Sequence, residues 1–278
     1  MHRCDAYHAC MDLHDQHVVV TGAGNGIGRA LASRFHADGA NVCLVDIDQQ
    51  QVDSLAAALN TLRTNSAVAV VGDVSSEIGN QQIITSAEAA FGQIDLVFAN
   101  AGVGLGRDPF SAETDWNTSF DVNVHAHRWA AKYLLPGWLA RGHGYFCSTA
   151  SAAGLLSQIG SAPYSVTKHA AVAFAEWLSI TYGDQGIRVS CLCPQGVNTN
   201  MLRMGDDAGF GPSSSVVRSA GAVLEPDEVA HIVSASIAAE AFLILPHPEV
   251  LTYWQRKTAD YPRWLAGMRR LQARIVGP

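Results

Sequence analysis

The sequence predicts an α/β fold, a doubly wound parallel sheet of seven strands with helices on both faces. Two observations carry that expectation. Short, near-continuous apolar runs recur at 18–21, 42–45, 68–71, 96–99, 145–147, 189–192 and 242–245. They are rich in β-branched residues and hydrophobic on both sides, as strands buried within a parallel sheet require. Between them lie helical stretches at 48–61, 76–91, 115–141, 163–183 and 226–239, long enough to cross from one parallel strand to the next. With 278 residues, one domain with a modest terminal extension is expected.

The first element reads His17-Val18-Val19-Val20-Thr21, followed by Gly22-Ala23-Gly24-Asn25-Gly26-Ile27-Gly28 and then by a helical pattern of Ile27, Ala30, Leu31 and Phe35. A strand, a glycine loop and a helix start form the context of a dinucleotide site. Glycine permits the tight turn, and its missing Cβ lets a pyrophosphate approach the N–H groups at the helix N-terminus. The second strand ends at Asp46, 18 residues after Gly28, where a carboxylate belongs if it is to hold a ribose diol.

Farther along, Tyr164-Ser165-Val166-Thr167-Lys168 places a phenol and an ammonium four residues apart on one helical face. A free phenol, with a pKa near ~10, is a poor proton shuttle at neutral pH. A neighbouring cation favours the phenolate and is expected to pull that pKa toward the working range.

These signals together resemble the short-chain dehydrogenase/reductase family in its compact, single-domain branch, and the likeness runs from about residue 16 to 248. Thr21-Gly22-Ala23-Gly24-Asn25-Gly26-Ile27-Gly28 fits the family's T-G-x-x-x-G-x-G. The resemblance implies a Rossmann-like sheet and a cofactor bordered by Gly22, Asn25, Gly26, Ile27 and Gly28. It also implies that Asp73 and Val74 touch the adenine and that Asn100-Ala101-Gly102 line the cofactor. Asn123 matches the helix asparagine that holds a catalytic water. Ser151, 13 residues before Tyr164, has the family's serine-to-tyrosine spacing. Two departures stand out: Ala99 replaces a usual asparagine, and Gln195 replaces the first glycine of P-G-x-V-x-T, here Pro194-Gln195-Gly196-Val197-Asn198-Thr199. Val197 and Thr199 still fit the positions that fix the carboxamide.

The implied reaction is reversible hydride transfer between a secondary alcohol, or its ketone, and nicotinamide. Tyr164 is the expected general acid/base, Ser151 the donor to the substrate oxygen, and Lys168 the group that lowers the tyrosine pKa and bonds the nicotinamide ribose. Asn123 supplies the water that links Lys168 to solvent. Asp46 would accept from both ribose hydroxyls, whereas a 2′-phosphate there would face a carboxylate. Neither Asn25 nor Ile47 offers a cation, and Asp48 adds acidity, so NAD is the expected cofactor. Enoyl reduction is disfavoured by the Tyr-to-Lys spacing. A non-catalytic NAD-binding sensor or scaffold on the same fold stays open as the alternative.

Substrate contacts are expected from Ala153, Leu155, Leu156, Gln158 and Tyr182, and from Met201, Leu202 and Met204 in a flap at about 201–223. That set is mostly apolar and holds no arginine to clamp a carboxylate or phosphate, which points to a hydrophobic alcohol or ketone. Residues 1–15 read as an N-terminal extension and 249–278 as an amphipathic helical extension broken near Pro262.

Bulk composition agrees. Hydrophobic residues make up 48%, ample for a core, and only 15% are charged, which suggests surface buried between subunits; the family resemblance implies a homodimer or homotetramer. The net charge of −7 argues against nucleic acid as a partner. No apolar run is long enough for a membrane span, and the first fifteen residues show no signal-peptide core. Six cysteines are scattered, mostly in strands, and Cys4, His8 and Cys10 lack a fourth ligand for a metal; a reduced, cytoplasmic protein is expected.

Overall fold

The computed structural model describes residues 11–207, 217–218 and 221–276, with backbone alone at 204–207 and 276. Cys4, His8, Cys10 and much of the 201–223 segment, Phe210 included, lie outside the described residues. Strands β1 (His17–Thr21), β2 (Asn41–Asp46), β3 (Ala67–Val71), β4 (Leu96–Ala99), β5 (Gly144–Thr149) and β6 (Ile187–Leu192) form one parallel sheet with β9 (Leu243–Ile244), in the order β3-β2-β1-β4-β5-β6-β9. Helices α1 (Gly26–Ala37), α2 (Gln49–Leu62), α3 (Glu77–Phe91), α4 (Glu113–Phe120), α5 (Ala126–Arg141) and α7 (Ala162–Tyr182) link them, with the single turn α6 (Ala152–Leu155) after β5.

Alternation along each strand splits the core in two. Val18, Val20, Val42, Leu44, Leu96 and Phe98 face α1, α2 and α9 (Pro226–Ala238), meeting Leu31, Phe35, Val52, Leu55, Val229 and Val233. Val19, Cys43, Val45, Val97 and Phe146 face the opposite layer, meeting Ile83, Ala130, Leu134, Trp138, Ala171 and Leu178 of α3, α5 and α7. Each such large side chain, removed from water, stabilises the fold by roughly 1.5–3 kcal/mol.

The strand order reverses between β1 and β4, and the crevice beyond their C-terminal ends is where such sheets bind ligands. Two features were not visible in the sequence pattern. The predicted helix 115–141 is two α-helices joined by a π-turn at Asp121–His125. Strand β7 (Gly196–Val197) pairs in parallel with β8 (Val223–Leu224), so the two ends of the 201–223 segment are clasped together. Between them α8 (Asn200–Asp207) opens that segment. The C-terminal extension is two helices, α10 (Glu249–Ala259) and α11 (Tyr261–Val276), broken at Asp260 with Pro262 at the start of the second. The break falls just before the proline, because proline is tolerated in a first helical turn.

Candidate active site

The glycine loop follows β1 and is shaped by close approaches that no side chain could share. A Cβ on Gly28 would lie 2.0 Å from the Gly22 carbonyl oxygen and 2.6 Å from Asn100 Nδ2. Gly22 and Gly26 adopt φ of +67° and +54°, a region that favours glycine. Helix α1 begins at Gly26 with no side-chain cap from Asn25 and no acidic residue in its first turn. Its N-terminal N–H groups and positive dipole end are therefore unopposed, which fits a pyrophosphate. Ile27, half-buried, packs against the β1 side of the core.

Asp46, at the end of β2, turns its carboxylate to the same crevice. Its Oδ2 accepts from the Gly24 N–H at 2.8 Å and its Oδ1 from the Asp48 N–H at 3.1 Å. Each oxygen keeps one lone-pair site for a ribose hydroxyl. Asp73 accepts from the backbone and hydroxyl of Ser75, both at 2.8 Å, and the Val74 carbonyl accepts from Asn80 at 2.7 Å. That pair is held at the rim of the crevice beyond β3.

Asn100, just beyond β4, ties the cofactor side to the chemical side. Its Nδ2 donates to the Thr21 carbonyl at 3.0 Å, and its Oδ1 accepts from the Thr149 hydroxyl at 3.0 Å. The backbone N–H groups of Asn100 and Ala101 both donate to Thr21 Oγ1 at 3.0 Å. A Cβ on Gly102 would stand 3.3 Å from both Asn123 Oδ1 and Lys168 Nζ, so this glycine keeps the floor open beside them. A Cβ on Gly26 would meet Thr199 Cγ2 at 3.0 Å, which brings the glycine loop against the segment after β6. There Val197 is buried in β7, and Thr199 donates its N–H to the Val197 carbonyl at 2.8 Å.

The loop carrying Gln195 is fixed from 52 residues away. The Gln195 N–H donates to His247 Nδ1 at 3.1 Å, and His247 Nε2 donates to the Gly196 carbonyl at 3.0 Å. This buried imidazole, accepting at one nitrogen and donating at the other, holds the loop where the family glycine is missing. No sequence signal pointed to His247. Thr21 and Thr149, the last residues of β1 and β5, were also missed, although Thr21 opens the glycine-loop motif.

The four proposed catalytic residues converge above the C-terminal ends of β4 and β5. Ser151 caps α6, its Oγ accepting from the Ala153 N–H at 3.1 Å, and it also hydrogen-bonds the Tyr164 phenol. Lys168, buried on α7, donates to the Thr149 carbonyl at 2.8 Å, and its Nζ stands 5.6 Å from the centroid of the Tyr164 ring. Burial lowers the Lys168 pKa to about 8, against a smaller opposing pull from Cys191 and Cys193. Burial likewise raises the Tyr164 pKa, partly offset by the Ser151 bond. The expected lowering of the phenol by Lys168 is thus outweighed in this structure: one N–H of the ammonium goes to the Thr149 carbonyl, and desolvation of the phenol dominates.

Asn123 sits in the π-turn with its carboxamide clamped on Val103, accepting from the backbone N–H and donating to the carbonyl, both at 2.9 Å. Its second N–H goes to Thr167 Oγ1 at 3.1 Å. Any water held at this residue must use the remaining lone pair of Oδ1 or the backbone carbonyls that a π-turn frees from the regular ladder.

The expected substrate residues divide. Ala153 and Leu156 stay beside Ser151, and Gln158 donates its backbone N–H to Ser165 Oγ at 2.8 Å near the start of α7. Leu155 is 5% exposed and packs in the core, so it does not line open space. Tyr182 ends α7 while Tyr164 begins it, about 27 Å apart along the axis, and it stacks edge-on to Trp177 instead. The two corrections have different causes: Leu155 faces the core side of its turn, and Tyr182 lies about five helical turns along α7 from the phenol. Met201 is 45% exposed and Leu202 half-buried on α8, while Met204 is described by backbone alone.

Comparison with known proteins agrees with this geometry. A model of the short chain dehydrogenase family matches residues 16–208. The chain is 32% identical over 235 residues to meso-2,3-butanediol dehydrogenase of Serratia marcescens, covering 84% of this chain and 92% of that one. It is 34% identical over 225 residues to 2,5-dichloro-2,5-cyclohexadiene-1,4-diol dehydrogenase of Sphingobium indicum, covering 79% and 88%. Its structure superposes on a short chain dehydrogenase/reductase of Burkholderia phymatum in complex with NAD with a TM-score of 0.81 at 29% identity, covering 91% and 96%. The chain belongs to the short-chain dehydrogenase family, as an oxidoreductase that interconverts alcohols and ketones with a nicotinamide cofactor.

Proposed function

We propose that this enzyme is NAD-dependent and acts on a hydrophobic secondary alcohol or its ketone, with Tyr164 as the general acid/base. The observation that carries the reading is the convergence of Ser151, Tyr164 and Lys168 beside the uncapped start of α1 and the Asp46 carboxylate.

Bound NAD supplies the hydride acceptor in one direction and the donor in the other. Gly22, Asn25, Gly26, Ile27 and Gly28 hold its pyrophosphate, Asp46 its ribose, and Asp73 and Val74 its adenine end. Asn100, Ala101, Gly102, Val197 and Thr199 bound the nicotinamide end. Ser151 donates to the substrate oxygen, where negative charge grows as a carbonyl is reduced. Tyr164 delivers the proton to that oxygen; with its pKa raised, the phenol is protonated at neutral pH and set for the reductive direction. In the oxidative direction it must first lose that proton, so oxidation speeds up as pH rises. Lys168 holds positive charge behind the phenol, and Asn123 fixes the 100–103 segment through Val103.

The neutral, half-buried side chains of Leu156 and Leu202 support an apolar substrate. The butanediol and cyclohexadienediol dehydrogenases it resembles make diols the first compounds to try. On α7, Val166, Trp177 and Ile180 expose 46%, 52% and 84% of their surface, which favours a homodimer or homotetramer closed over that helix. Cys43, Cys147, Cys191 and Cys193 are all free and buried, which supports a reducing, cytoplasmic setting. No helix among the described residues is long and apolar enough to cross a membrane.

The test is a panel of secondary alcohols and diols scored by NAD+ reduction at 340 nm, with NADP+ in parallel. The reading expects turnover of at least one apolar secondary alcohol and a preference for NAD+. Tight NADH binding with no turnover across the panel would instead favour a cofactor sensor.

A further inference from the structure

One buried cation belongs to neither the cofactor site nor the proton relay. Lys257 lies on α10, in the C-terminal extension, beyond the residues that match the family model. It is 7% exposed, and its Nζ donates to the carbonyls of Leu155 at 2.7 Å and Leu156 at 2.8 Å. The rings of Tyr261 and Trp264 cover it, with centroids at 5.7 and 5.0 Å. Among the described residues it forms no ion pair with a carboxylate. Burying an ammonium without a counter-ion is costly, so its partners must be well formed, and here they are two carbonyls and two π faces.

Those two carbonyls end α6, the turn that Ser151 begins. Ser151 caps its start through the Ala153 N–H, and the Leu156 N–H closes it on the Ala152 carbonyl at 2.8 Å. Its middle is pressed on α7, because a Cβ on Gly154 would stand 2.5 Å from the Lys168 carbonyl oxygen. A cation at the carbonyl end of a turn satisfies orphan acceptors and favours the helix dipole. One four-residue turn therefore connects the hydroxyl that bonds Tyr164 to an ammonium from the far end of the chain.

We propose that Lys257 is a positioning residue of the active site, holding the α6 turn so that Ser151 and the half-buried Leu156 present a fixed face to the substrate. The C-terminal extension is thereby part of the substrate site. This rests on the dehydrogenase reading above.

The experiment compares K257M and K257R with the unmodified enzyme by steady-state kinetics and by hydrogen exchange. K257M keeps the length of the side chain and removes the donors. It is expected to lower kcat/KM for the alcohol by about tenfold or more, as small misplacements near reacting groups do, with the KM for NAD+ changed less than about twofold. Exchange should accelerate in residues 152–158 and stay unchanged in β1 and α1. K257R, whose guanidinium can serve both carbonyls, should restore most of the loss. K257Q, which is shorter, uncharged and unable to reach both carbonyls, replaces K257M if that variant does not fold, with a smaller change in the same direction expected. Unchanged alcohol kinetics, or exchange that accelerates throughout the sheet together with a loss for NAD+, would overturn the proposal. If the unmodified protein oxidises no alcohol, the dehydrogenase reading fails separately, and the exchange pattern alone decides whether Lys257 orders the turn.

Discussion

Asp46→Asn tests the cofactor site at a single charge. The carboxylate already accepts one backbone N–H on each oxygen, from Gly24 at 2.8 Å and Asp48 at 3.1 Å. That leaves two acceptor sites, one for each hydroxyl of an adenosine ribose. Charge-assisted bonds are roughly twice as strong as neutral ones, so neutralising the residue should cost NADH about 1–2 kcal/mol, or about 5- to 30-fold in kcat/KM. A 2′-phosphate about 4 Å from the carboxylate would be repelled by about 4 kcal/mol at an effective dielectric near 20, less after salt screening of a half-exposed group. Relief of that repulsion should raise kcat/KM for NADPH by at least about tenfold. The asparagine amide also meets one of the two backbone N–H groups as a donor, so part of the loop is loosened, which lowers both cofactors alike and leaves their ratio clean. Initial rates with each cofactor on one ketone give the ratio directly, and it should shift toward NADPH by about 50-fold or more. A shift below about threefold would refute the assignment of Asp46 to the ribose.

Three further outcomes follow from the same geometry. Gly28→Ala drives a Cβ to within 2.0 Å of the Gly22 oxygen, and overpacking of this kind costs about 2–3 kcal/mol, so Tm should fall by about 5–10 °C and NADH affinity at least tenfold. Alcohol oxidation should rise with pH as Tyr164 is released from its raised pKa while ketone reduction does not, so parallel profiles of the two directions should diverge on the alkaline side. Burial holds His127 neutral, with its pKa lowered to about 3, whereas in the unfolded chain it protonates near 6.5. Its contribution is therefore complete above pH 6.5 and is lost as pH falls toward 3, amounting to about 2 kcal/mol at pH 5. His127→Gln, which can still bond Ser148, should narrow the Tm gap between pH 7 and pH 5 by about 5 °C; an unchanged gap would contradict it.

Much of this molecule was legible before any coordinate. Strand runs such as 42–45 and 96–99 fall within a residue or so of β2 and β4, because two-sided hydrophobicity leaves few other places for such segments. The glycine loop and Asp46 declared themselves through spacing alone. What stayed hidden depends on contacts between distant parts of the chain. Nothing local marks the π-turn at Asp121–His125, the clasp of β7 on β8, or the His247 bonds to Gln195 and Gly196. Nothing local distinguishes Lys257 from the other cations of the amphipathic tail either; its two carbonyl partners lie about a hundred residues upstream. Tyr164 shows the same limit in its energetics: the sequence supplied the neighbouring cation, while burial, which only the fold supplies, decided the direction of the pKa.

The central claim is that Tyr164 moves the proton that accompanies hydride transfer. Tyr164→Phe keeps the ring that packs near Lys168 and removes only the hydroxyl, so NADH binding measured by fluorescence should change less than about twofold. Alcohol-dependent NADH formation should fall about 1,000-fold, within the range that general acid–base catalysis supplies. A Tyr164→Phe enzyme that kept most of its kcat would contradict the account.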